Sequence, residues 1–214
     1  YLTSDRKLAA VHDWHQFGNK DGVALSSEEW KNFKAYGSPE TPSRFTTMLI
    51  GDVFDQMIIN RDMVLVTDIK SMEISKEDRI TQFKELVSEA NKRDKELLDR
   101  VIPQIYNQEM FGEIESIYPF QHIIYTLYSS PDSAEEVIDF ISKHKEIEAV
   151  TISFADPRFN QDFIDAVHRL NKRIYIHTIH TYDDLTKYAN VNVDGFYTGL
   201  LTPRDVALYE SVSK

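Results

Sequence analysis

Two short segments hold side chains whose types and spacing could move protons and balance the charge of a phosphate. LTSDRKLAAVHDW (residues 2–14) ends a short apolar run on His12 and Asp13. An imidazole beside a carboxylate is suited to proton transfer near neutral pH. A strand-end histidine that makes only a structural hydrogen bond has the same signature. VTDIKS (residues 66–71) puts Asp68 and Lys70 two residues apart, on one face of a strand. Inward carboxylate and ammonium groups are costly unless paired or functional. They are either a buried ion pair or a carboxylate for a divalent cation beside a lysine for phosphate. Oxygen ligands point to Mg2+ or Ca2+ over zinc. A desolvated lysine could also support Schiff-base chemistry, although that leaves His12 and Asp13 without a role.

A third segment, IYIHTIHT (residues 174–181), carries His177 near a strand end with Thr178, Ile179 and His180 following. If Tyr175 and His177 share one face, Ile176 and Thr178 take the other. Gln104 and Tyr106 in IPQIYN share strand parity and line either the mouth or the core. His122 opens its strand and belongs to the opposite, structural end. His15, His144 and His168 read as solvated loop or helix residues.

The elements that must position these groups alternate from about residue 60 onward. Residues 63–69 (MVLVTDI) have the apolar, β-branched character of a strand buried on both faces. A charged helix over residues 76–100 carries Ile80, Phe83, Leu86, Val87 and Ala90 at helical spacing. Residues 101–106, 122–128, 149–153, 173–179 and 195–198 read as further strands. Helices are expected over 108–117, 132–145, 161–171 and 182–188, and another beyond Pro203. Asp132 or Ser133 is placed to cap the helix over 132–145, with Glu135 and Glu136 in its first turn. Six tandem β-then-α units without a hairpin between them require a parallel sheet.

No glycine-rich phosphate loop follows any strand, and several strands end in polar residues, which favours a parallel (β/α) barrel of the TIM type. Residues 7–11 read as the second arm of a small hairpin on the rim. A closed barrel has eight strands, so one or two are expected upstream of Tyr1. The candidate rim segments are residues 17–26 and 35–45, and Trp14, Phe17 and Trp30 either pack beneath the hairpin or stack on a substrate. Residues 1–214 read as a single domain. Exposed sheet edges and an open lumen would invite pairing with a second copy, so a homo-oligomer is one expectation.

Composition narrows the functions open to such a fold. The balance of 24 basic against 35 acidic residues argues against a nucleic-acid surface. An acidic protein handling phosphodiesters needs a local cation, a metal or a buried lysine. The absence of cysteine excludes disulfides and thiol catalysis. It is compatible with a cytoplasmic or an extracytoplasmic location, the second slightly preferred. No apolar run reaches the roughly 18 residues of a membrane span.

Taken in order, TSD with a strand ending in HD, Asp68 two before Lys70, the QIY strand, the HT-I strand end and VDGFYTGLLTP resemble the glycerophosphodiester phosphodiesterase family over nearly the whole chain. The resemblance implies cleavage of a small-molecule or lipid-derived phosphodiester to sn-glycerol 3-phosphate and an alcohol, assisted by Mg2+ or Ca2+. It matches His12 to one of two catalytic histidines, with Asp13 as its acidic partner. Asp68 falls where the family has a glutamate metal ligand, one methylene longer. Lys70 matches the lysine near the phosphate, and His177 is taken as a second phosphate contact. Gly199 stands where the family has aspartate. The family's His-Arg and Glu-x-Asp pairs would lie upstream of Tyr1, so the chain alone is expected to be a poor catalyst. A non-catalytic barrel kept for binding or assembly is the alternative.

Overall fold

A computed structural model describes residues 1–15, 19–34, 36–38, 41–42, 46–69, 74–188, 190–205 and 207, with the backbone only for 36–38 and 41–42. Lys70 lies outside the described residues, as does Phe17. The chain divides into two compact units. One comprises Tyr1–Pro103 with Met110–Gln121, and the other Gln104–Glu109 with His122–Lys214.

The first unit opens with irregular chain. Leu2 and Leu8 form an antiparallel bridge around a tight turn, and Ala9 bridges Leu49. Residues 7–11, expected as the second arm of a hairpin, form single bridges rather than a continuous strand. Arg6 closes the turn at φ 64, in the left-handed region that asparagine or glycine enters at lower cost. Helices α1 (Ser27–Asn32) and α2 (Ile50–Ile59), with the small hairpin β1 (Tyr36–Ser38) and β2 (Thr41–Pro42), fill the segment before residue 60.

Strand β3 covers Leu65–Thr67 and pairs in parallel with the first three residues of β4 (Val101–Ile105). The expectation that residues 63–69 are buried on both faces is corrected. Val64 and Val66 are 49% and 43% exposed. β3 pairs on one side only among the described strands, so β-branched composition here reflects strand preference more than burial.

Helix α3 runs Lys76–Asn91, shorter than the expected 76–100. Asp94, in an extended conformation, accepts from the Glu96 backbone N–H and starts a separate 3-10 turn over Lys95–Arg100. Arg100 then donates to the carbonyls of Met57, Asn60, Arg61 and Met63. It thereby satisfies the Met57 carbonyl in the last turn of α2, that of the C-cap Asn60 and two more in the turn that follows. Arg79 faces inward from α3, held by a bidentate pair with Glu113 of α4 (Gln108–Glu115) at 2.7 and 2.8 Å.

The second unit begins with the last two residues of β4 and continues through β5 (Ile123–Thr126), α5 (Ala134–Lys143), β6 (Ile147–Ser153), α6 (Gln161–Arg169), β7 (Arg173–Ile179), α7 (Tyr182–Tyr188) and β8 (Gly195–Thr198). The strand order β3-β4-β5-β6-β7-β8 is sequential and parallel throughout, as six tandem β/α units require. The expected strand over 122–128 is shorter, because residues 127–129 turn into a 3-10 helix. His122 sits one residue before β5 and hydrogen-bonds Glu148.

Register assigns the two faces of this sheet. Ile105, Tyr125, Val150, Ile152, Ile174 and Ile176 fall on one side and are fully buried. Each such apolar side chain contributes roughly 1.5–3 kcal/mol when fully buried. Gln104, Thr126, Thr151, Ser153, Tyr175 and His177 fall on the other. Thr126 Oγ1 donates to Gln104 Oε1 at 2.9 Å, which satisfies two of those buried polar groups. The helices start where their caps dictate. Ser133 and Glu136 form a capping box on α5, and Asn160 caps α6. No helix among the described residues is long and apolar enough to cross a membrane.

Candidate active site

His12 owes its position to backbone bonds on both sides of the segment that carries it. Ala9 N–H donates to the Tyr1 carbonyl and Ala10 N–H to that of Met48, while Ile50 N–H donates to Leu8. The residues after it are anchored by Trp14, whose indole N–H donates to the Leu2 carbonyl and whose ring meets Trp30 edge-on at 5.4 Å. Trp30 is buried, and its indole N–H donates to the Met48 carbonyl. The two tryptophans are therefore packing residues that brace the loop.

The His12 ring is oriented by its neighbour. Nδ1–H donates to Asp13 Oδ2 at 2.8 Å, and the other carboxylate oxygen accepts the His15 backbone N–H at 2.8 Å. The bond from His12 is the largest influence holding the Asp13 carboxyl below its ordinary value, so Asp13 stays ionised. A carboxylate on Nδ1 fixes the tautomer and directs Nε2 as the proton-carrying atom.

Asp68 follows the last residue of β3 and is exposed. Alternation puts it on the side of Val66, away from the buried Thr67 and Ile69. His12 and Asp68 line one cavity of about 280 Å³ within the first unit, with Thr67 and Gln82 among its polar lining and Leu8 and Val53 among its aliphatic lining. Two segments far apart in sequence thus meet around one space. That volume is at the small end of ligand pockets.

The expected divalent cation is not matched by these donors. Among the described residues no group of three or more histidine, cysteine, aspartate or glutamate side chains could hold a metal ion. A single carboxylate does not displace the hydration shell of Mg2+ or Ca2+. Among the described residues Asp68 is a carboxylate of the cavity wall.

His177 belongs to the second unit, at the end of β7 on the polar face. Burial is the larger influence on its imidazole and pushes it below the ordinary value, with the Asp156 carboxylate opposing. It is a neutral ring at pH 7. Asp156 is engaged by Arg158 at 2.7 Å. Gly199, where the resemblance implies aspartate, lies under the His180 ring. A Cβ there would come within 2.9 Å of His180 Cε1. Spacing had no means of finding this contact, nor the brace of Trp14 on Trp30.

No family model matches the chain, and no curated protein matches it. Solved structures do. A glycerophosphodiester phosphodiesterase from Parabacteroides distasonis superposes with a TM-score of 0.74 at 14% identity, over 100% of this chain and 82% of its own. A phosphodiesterase from Oleispira antarctica, in complex with the product sn-glycerol-3-phosphate, gives 0.72 at 14% over 98% and 82%. A glycerophosphodiester phosphodiesterase from Thermotoga maritima gives 0.67 at 13% over 99% and 82%.

The chain has the fold of the glycerophosphodiester phosphodiesterases. At identities this low the likeness establishes architecture, and the chemistry rests on the side chains.

Proposed function

We propose that the protein is a phosphodiester hydrolase acting on small or lipid-derived glycerophosphodiesters, releasing sn-glycerol 3-phosphate and an alcohol. One observation carries this reading. His12, held by Asp13, and Asp68, separated in sequence, line a single cavity in a chain with this fold.

The chemistry follows from the pair. Water attacks phosphorus, a P–O bond forms, and the bond to the leaving alcohol breaks. The attacking water gives up a proton and the departing oxygen takes one. His12 Nε2 is the atom oriented to carry it, and Asp13 stabilises the imidazolium that exists between the two transfers. Lys70, two residues beyond Asp68 in sequence, is assigned to the phosphate charge. The described donors do not support a step through a bound metal.

A second reading, a barrel that binds phosphodiesters without cleaving them, is favoured by the lack of a cluster of three metal-binding donors among the described residues. The two readings part in one experiment on the full-length protein, supplied with magnesium or calcium and glycerophosphoethanolamine. Catalytic release of sn-glycerol 3-phosphate supports the hydrolase. Saturable calorimetric binding with no product supports the binding protein and rejects the hydrolase.

A further inference from the structure

Helix α3 buries two polar side chains, and only one of them has a partner among the described residues. Arg79 and Gln82 lie three residues apart, about one turn, and are 7% and 2% exposed. Arg79 forms its bidentate pair with Glu113. The Gln82 amide makes no hydrogen bond with another described residue. Buried polar groups are bonded as a rule, and an unmet one lowers stability unless something else meets it.

Gln82 lines the same cavity of about 280 Å³ as His12 and Asp68. Its polar atoms are not fully enclosed, so they open onto that cavity. Leu86 of α3 and Ile50 and Val53 of α2 line it as well. The amide is thus a polar group with spare bonding capacity in largely aliphatic walls.

A primary amide presents N–H donors and a carbonyl acceptor in one plane. A phosphate oxygen only accepts and an ammonium only donates, so each would meet half of it. A vicinal diol answers both ends, one hydroxyl accepting from Nε2–H and its neighbour donating to Oε1. No lysine or arginine among the described residues lines the cavity, so these walls suit a neutral group.

We infer that Gln82 is a specificity-determining residue whose amide holds a vicinal diol of the substrate. The inference rests on the hydrolase reading of this cavity and adds the group that its wall selects. The diol can belong to the glycerol 3-phosphate half of the diester or to a polyol leaving alcohol, and the two sources part on substrate choice.

The test is steady-state kinetics of the full-length protein, wild type and Gln82→Met, with magnesium or calcium. The substrates are glycerophosphoethanolamine, with a diol in one half, and glycerophosphoglycerol, with a diol in both. Methionine keeps the length of the side chain and removes the hydrogen bonds. The substitution should lower kcat/KM by about tenfold, chiefly through KM. Loss on both diesters assigns the diol to the glycerol 3-phosphate half, and loss on glycerophosphoglycerol alone assigns it to the leaving alcohol. The Tm should be unchanged or raised, because no bond within the protein is lost. Unchanged kinetics on both diesters, a loss carried by kcat alone, or a lowered Tm would each overturn the inference. Absence of turnover by the wild-type protein would instead fail the hydrolase reading. Calorimetric titration with glycerophosphoglycerol then decides the matter, with Gln82→Met expected to bind about tenfold more weakly and equal binding rejecting the diol contact.

Discussion

The two units solve the problem of holding a side chain in different ways. In the second, a regular parallel ladder does it. Val150, Ile152, Ile174 and Ile176 are fully buried on one face, and strand alternation then delivers Thr151, Ser153, Tyr175 and His177 to the other. In the first, isolated bridges, a tight turn and two tryptophans hold the loop that ends at His12. A ladder distributes its support over many bonds. A braced loop concentrates it in a few, so single substitutions should act more locally there.

The largest effect expected from that difference comes from the brace. Trp30→Ala should cost about 3–5 kcal/mol and raise amide hydrogen exchange across residues 8–14 and 47–50. Ile176→Ala should cost about 2–5 kcal/mol and raise exchange along β6, β7 and β8 together. Uniform exchange changes across both units in either variant would dissolve the contrast.

A smaller effect is expected at the loop that carries Tyr128. Arg158→Ala strands three carbonyls and leaves Asp156 without its partner, at about 1–3 kcal/mol in chemical denaturation. Ser133→Ala removes the α5 cap and should cost about 1 kcal/mol.

The smallest effect sharpens the comparison by pH. His177 has a folded value below its ordinary 6.5, so the unfolded chain takes up the proton first as pH falls. Its contribution is present above about pH 6.5 and is lost progressively below it. His177→Gln should flatten the Tm profile of the second unit in that window, and an unchanged slope would count against burial as the cause.

The same contrast governs how much of the molecule was legible in its sequence. The tandem units from residue 101 onward were readable because alternation and helical spacing repeat over many residues, and the Ser133 cap with Glu136 announced its helix. The first unit was not. Helix α2, rich in Ile, Val, Phe and Met, carries no polar N-cap side chain to mark its start, and the exposure of Val64 and Val66 contradicts what β-branched composition suggests. His12 and Asp68 were found by residue type and order. Their meeting at one cavity depends on bridges from residues 48–50, which no local pattern encodes.

The most direct measurement is the rate of sn-glycerol 3-phosphate release by wild-type and His12→Ala proteins of equal Tm. If His12 carries the proton, the substituted protein should be slower by about 100-fold or more. Equal rates would contradict the assignment and remove His12 from the chemistry.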